Sequence, residues 1–169
     1  MTSTTVQVHR IYIKATPQAI WDAITKPEWI ERYGYGGRFA EELVAGKPFR
    51  LLTSDDMKKA GVEMGFEVPD VAVDGEILEM DPPRKLVMTW RMAMDPTAAA
   101  EGFTRLTYEI AEEDSGFVRL TLIHDLTGAP TLATQVAGSD APANQGGGGW
   151  PWVLSDLKSL LETGAPLAS

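Results

Sequence analysis

Four successive stretches of this chain alternate apolar with polar residues, and that pattern restricts the fold more than any other feature. The clearest runs from Lys85 to Met92, with Leu86, Met88, Trp90 and Met92 on one side and Lys85, Thr89 and Arg91 on the other. Successive strand side chains point to opposite faces, so this alternation marks a strand with one buried and one wet face. Val71 to Met80 precedes it across the turn Asp81-Pro82-Pro83; Thr104 to Ala111 and Phe117 to Asp125 follow, joined at Glu113-Asp114-Ser115-Gly116. The same phase puts Leu106, Tyr108, Ile110, Val118, Leu120, Leu122 and His124 on the inner side. An antiparallel meander with one apolar face needs a cover.

The cover is expected from the C-terminal segment. Trp150-Pro151 opens a helix whose Val153, Leu154, Leu157, Leu160 and Leu161 form one apolar stripe, ended by Gly164 and Pro166. Upstream, Val6 to Ile13 reads as a strand with Val6, Val8, Arg10 and Tyr12 on one face. Thr16-Pro17 starts a short helix to Thr25, and Pro27 opens another helical turn carrying Trp29, Ile30 and Tyr33. After Gly34, Gly36 and Gly37, the stretches Phe39 to Val44 and Phe49 to Leu52 suggest a hairpin around Gly46, and Thr53 to Asp70 reads as mostly loop. Residues 127–149 are rich in Ala, Thr, Gly and Pro and end in Gln145 and four glycines, which predicts a mobile connection placed to gate whatever the helix covers.

Nothing splits residues 1–169 into two self-sufficient halves, so one domain is expected. A net charge of -9 repels phosphate backbones and anionic lipid surfaces, so no nucleic-acid partner is expected, and no stretch approaches the roughly 18 apolar residues a span needs, so no stable membrane insertion is expected. With no Cys, thiolate chemistry and thiolate metal sites are excluded; His9 and His124 are the only histidines, and no metal or other cofactor is expected. The first residues have neither the basic nor the apolar part of a secretory signal, which makes the cytoplasm the expected address.

The order strand, two short helices, antiparallel strands and one long final helix is that of the helix-grip fold, an α+β architecture in which a curved antiparallel sheet wraps around a C-terminal helix. Several local sequences carry a closer likeness: Ala19-Ile20-Trp21-Asp22-Ala23-Ile24-Thr25, Gly75-Glu76-Ile77 leading to Asp81-Pro82-Pro83-Arg84-Lys85-Leu86, Thr89-Trp90, and Gly149-Trp150 opening Leu154-x-x-Leu157-Lys158. In this order they span Val6 to Gly164, and the chain resembles the family named after the activator of the 90-kDa heat-shock chaperone ATPase. That resemblance implies a START-like, Bet v 1-type fold with a cavity between sheet and final helix. The 127–149 connection looks longer than such domains usually show, and 53–70 looks like an insertion.

Met88, Trp90, Met92, Tyr108, Leu122, His124, Trp150 and Leu157 are the candidate ligand-binding residues, since aromatic and thioether groups suit adaptable apolar sites. Ordinary core packing would select the same residue types. His124 could serve as a pH-sensitive anchor or proton carrier, or be a satisfied structural group. Tyr108 offers a hydroxyl to a ligand carbonyl, or bonds to backbone. The acidic clusters at Glu41-Glu42, Asp55-Asp56 and Glu112-Glu113-Asp114 lie in turns or face apart, and no catalytic residue is assigned.

The leading expectation is non-enzymatic binding of an apolar small molecule, a lipid or polycyclic natural product. A polyketide cyclase-like enzyme or a natural-product self-resistance protein is the alternative the wider superfamily implies. A chaperone ATPase co-regulator ranks third, because such activators carry a further domain ahead of this one and the first strand here begins close to Met1. The oligomeric state is left open.

Overall fold

The computed structural model describes residues 4–143 and 146–167; Gln145 lies outside them. Seven strands form one antiparallel sheet in the order β1-β7-β6-β5-β4-β3-β2. β1 is Val6–Ile13, β2 Arg38–Phe39, β3 Pro48–Leu52, β4 Val71–Asp81, β5 Lys85–Met92, β6 Thr104–Glu112 and β7 Val118–Asp125. The helices are α1 Pro17–Thr25, α2 Pro27–Ile30, α3 Asp55–Glu63, α4 Pro96–Ala100, α5 Pro130–Ala137 and α6 Gly149–Thr163. This is the helix-grip fold: the sheet curves, with register shifts at Leu51/Leu52 and between Ile77 and Glu79, and α6 packs on its inner face.

The meander pairs as its alternation requires. Met88 sits opposite Leu106 and Leu106 opposite His124; Leu86 sits opposite Tyr108 and Tyr108 opposite Leu122. Leu86, Leu120 and Leu122 are fully buried, as are Ile13, Ile20 and Ile77 from other elements. Two features of the family-like local sequences have direct causes. A Cβ at Gly75 would overlap the Thr89 carbonyl oxygen and the Phe49 ring, so only glycine lets β4 pass there. The Thr89 hydroxyl in turn accepts the Glu76 N–H at 2.8 Å.

Three expectations change. The 53–70 segment holds α3, because Ser54 caps it by accepting the Met57 N–H and Asp55 and Asp56 favour its positive end. The expected hairpin at Gly46 is a two-residue strand, β2, joined to β3 by irregular chain, and Arg38 pairs with Leu52. The 127–149 connection contains α5. That helix has no capping side chain of its own; Glu101 at the end of α4 caps it, accepting the Thr131 and Leu132 N–H groups at 2.9 and 3.1 Å. Gly147, Gly148 and Gly149 serve close packing, whereas Gly146 meets nothing: a Cβ at Gly149 would overlap the Val136 carbonyl oxygen and the Gly138 N, where α6 starts against the end of α5.

Candidate functional site

Strand phase brings the predicted residues together on the inner face, and α6 closes most of them in. Met88, Trp90, Leu122, His124, Trp150 and Leu157 are buried; Met92 and Tyr108 stay half-exposed. At the centre lies a polar chain inside an aromatic cage. The Trp150 indole Nε1 donates to His124 Nδ1 at 3.1 Å, and His124 Nε2 is 2.7 Å from Thr104 Oγ1, which donates to the Trp90 carbonyl at 2.8 Å. An indole N–H can only donate, so Nδ1 is the acceptor and the proton sits on Nε2. The Trp90 ring meets the imidazole edge-on at 5.3 Å and the Trp150 ring at 5.6 Å.

Burial lowers the His124 pKa from 6.5 to about 4; the nearby Asp125 opposes this and His9 adds to it. Protonation would also set a second N–H against the Trp150 donor. With both ring nitrogens engaged, His124 has no lone pair to offer a substrate, and the arrangement does the work of a core support rather than a proton carrier.

The sequence reading missed a second element of the inner face, the segment from Tyr33 to Gly37. Three hydrogen bonds tie it down. Tyr33 Oη donates to the Ala23 carbonyl at 2.8 Å, the Gly34 N–H to Asp156 Oδ2 at 2.8 Å, and Tyr35 Oη to the Ala143 carbonyl at 3.2 Å. Asp156, buried on α6, also accepts the Leu167 N–H on its other oxygen at 2.6 Å. A lone acid inside the Val153–Leu161 stripe was the available signal.

Half-buried apolar side chains lie against this segment at two points. Val153 lies against Gly34 and Leu51 against Gly37. Leu51, Val73 and Met92 stand side by side across β3, β4 and β5, with Met94 just beyond. Burial holds the Tyr33 and Tyr108 hydroxyls protonated, with pKa values well above 10, and the nearby Tyr108 adds to this at Tyr33. Two open clefts, of about 450 and 390 Å³, lie elsewhere, on the β1 side of the molecule. Among the described residues no helix is long and apolar enough to cross a membrane, and no group of His and acidic residues is arranged to hold a metal.

The fold and its helix-covered inner face define a helix-grip domain of the START-like kind. More specifically, residues 14–162 match the family described as activator of Hsp90 ATPase homolog 1-like protein, and the chain belongs to that family. Solved structures support the same fold at low identity. A protein from Mesorhizobium loti superposes with a TM-score of 0.64 at 20% identity, over 93% of this chain and 96% of its own. DynU16, a protein in the dynemicin biosynthetic locus, gives 0.62 at 17% identity over 95% of this chain, which spans only 48% of that one. An Hsp90 activator from Plasmodium falciparum gives 0.53 at 18% identity, over 96% and 90% of the two chains. No curated protein sequence matches.

Proposed function

We propose that this protein binds an apolar small molecule beneath the Tyr33–Gly37 segment, without catalysing a reaction on it. The observation that carries this reading is a set of half-buried side chains that pack on the core yet keep exposed surface: Leu51 and Val153 against that segment, Tyr108 near Tyr33, and Met92 and Met94 in line with Leu51 across the sheet. Apolar walls with one hydroxyl among them suit a ligand held by contact area and oriented by a single hydrogen bond, here from the neutral Tyr108 phenol. Of the predicted residues, Met92 and Tyr108 then touch the ligand, while Met88, Trp90, Leu122, His124, Trp150 and Leu157 support the wall behind them. Entry requires the Tyr33–Gly37 segment to lift with the irregular chain around Ala143, to which Tyr35 joins it. The enzyme alternative loses its best candidate because His124 has no free nitrogen.

Titration with a fatty acid and with a naphthalene dye, followed by tryptophan emission and native mass spectrometry, tests the reading. The expected result is saturable one-to-one binding that weakens in Tyr108→Phe and more strongly in Met92→Asp. A linear, unsaturable response in the folded protein would overturn it. Chaperone co-regulation remains the second reading, favoured by the family match alone.

A further inference from the structure

β1 is one edge of the sheet, and its pairing with β7 fixes which backbone groups face outward. The Leu126 N–H donates to the Thr5 carbonyl, so Thr5 and Leu126 form a hydrogen-bonded pair. In an antiparallel ladder such pairs recur at every second residue, so Gln7, His9, Ile11 and Ile13 point their backbone groups at β7. The groups of Val6, Val8, Arg10 and Tyr12 therefore face the open edge. Two contacts confirm the phase at its far end: the Tyr12 carbonyl accepts Lys158 Nζ, and the Lys14 N–H donates to Glu162 Oε2 at 2.8 Å. Those α6 side chains guard the last residues only; among the described residues, the backbone groups of Val6, Val8 and Arg10 have no partner.

An exposed edge usually carries devices that prevent pairing. Here the edge instead presents Val6, Val8 and Tyr12, which are 46%, 50% and 48% exposed. Its charges differ from those of the whole molecule. The chain carries -9, yet Arg10 on this strand and Lys14 just after it make no ion pair with any described acid. The two surface clefts meet at Tyr12; one is lined by Arg10, Arg119, Thr121 and Glu109, the other by Lys14, Lys158, Phe117 and Glu162. Arg119 and Lys158 pair with Glu113 and Glu162, and Glu109 opposes Arg10, so the four cations of the clefts outnumber these three acids by one and leave a small local excess of positive charge.

We infer that β1 is a docking edge for an extended acidic segment of another protein, which adds as an eighth strand. Main-chain bonds to Val6, Val8 and Arg10 supply affinity, and acidic side chains beside Arg10 and Lys14 set register. At physiological salt the Debye length is about 8 Å, so these local cations outweigh the distant net charge. Pairing of β1 with a second copy is disfavoured, since β1 carries no acidic residue to set beside Arg10.

The test uses a fluorescent synthetic peptide alternating valine with glutamate, and a matched peptide with lysine for glutamate. Anisotropy should show saturable binding of the acidic peptide and at least tenfold weaker binding of the basic one. Backbone amides of Val6, Val8 and Arg10 should exchange more slowly with the acidic peptide bound, while Gln7 and His9, already bonded to β7, should not change. Val8→Pro removes an outward N–H without touching the β7 ladder and should weaken binding at least tenfold, with melting temperature little altered. If that variant misfolds, Arg10→Glu serves in its place, with the same loss expected. Equal binding of the two peptides, no protection at Val6, Val8 and Arg10, or protection that rises with protein concentration in the absence of peptide would each overturn the inference.

Discussion

Acid should destabilise this protein through one residue before its carboxylates begin to protonate. In the folded chain His124 titrates near 4, because burial disfavours its charge, whereas an unfolded imidazole titrates near 6.5. Between those values the unfolded state binds a proton that the folded state does not, so stability falls as pH falls. The contribution is complete above pH 6.5 and exhausted near pH 4. At about 1.4 kcal/mol per pH unit, the gap amounts to ~3 kcal/mol, a large part of a domain's net stability. Urea unfolding of the wild type and His124→Asn at intervals from pH 7 to pH 4 measures it. Asparagine keeps an acceptor near Nδ1 for the Trp150 indole but cannot titrate. His9, whose pKa burial also lowers, is common to both proteins and cancels in the comparison, as do Glu101 and Glu162, whose depressed pKa values matter only toward the acid end. The wild type should start more stable and lose ~3 kcal/mol more than the variant over this window, with near-ultraviolet dichroism from Trp90 and Trp150 reporting the same midpoint. Parallel profiles would show that His124 is accessible to protons in the native state and refute the reasoning.

Other outcomes follow from single contacts. Asp156→Ala strands the Gly34 and Leu167 N–H groups and should cost about 3 kcal/mol in urea unfolding, with Asp156→Asn recovering part of it. Glu101→Ala uncaps α5 and should cost about 1 kcal/mol, with faster exchange of the Thr131 and Leu132 amides and no change at α6. Gly75→Ala forces a methyl group against the Thr89 backbone, which cannot move aside as a side chain would, and should lower stability by about 3 kcal/mol, read as a fall in melting temperature.

The strands and the inner face were legible in the sequence because alternation with period two is a direct consequence of the pleat. Leu86, Met88, Trp90, Leu106, Leu120 and Leu122 all face where their spacing puts them. The helices α3, α4 and α5 were not, since each is short and rests on local chemistry rather than on an apolar stripe. Ser54 and Asp95 accept N–H groups at the start of α3 and α4, and Pro96 and Pro130 open α4 and α5. The glycines at 146–149 misled for a related reason. Glycine serves both loose chain and tight packing, and at Gly149 the deciding fact is the backbone of α5, which a one-dimensional reading does not contain.

The candidate site was legible as a set of residues and not as a division of labour. A pocket wall and a packed core draw on the same aromatic and aliphatic side chains, so inward phase places Met88 and Met92 alike although one is sealed and the other half-exposed. What separates them is tertiary cover, which comes from elements distant in sequence, such as the Tyr33–Gly37 segment that Asp156 of α6 holds in place. His124 illustrates the same limit more sharply. Seen from β7 alone it is an ionisable group directed inward, a profile that a functional histidine and a satisfied structural one share. The indole of Trp150, twenty-six residues on, occupies the lone pair that chemistry would need, and Thr104 on β6 accepts the hydrogen bond from the Nε2–H. A histidine's capacity to act therefore depends on which partners reach its two nitrogens, and here both partners arrive through tertiary packing rather than through any local spacing.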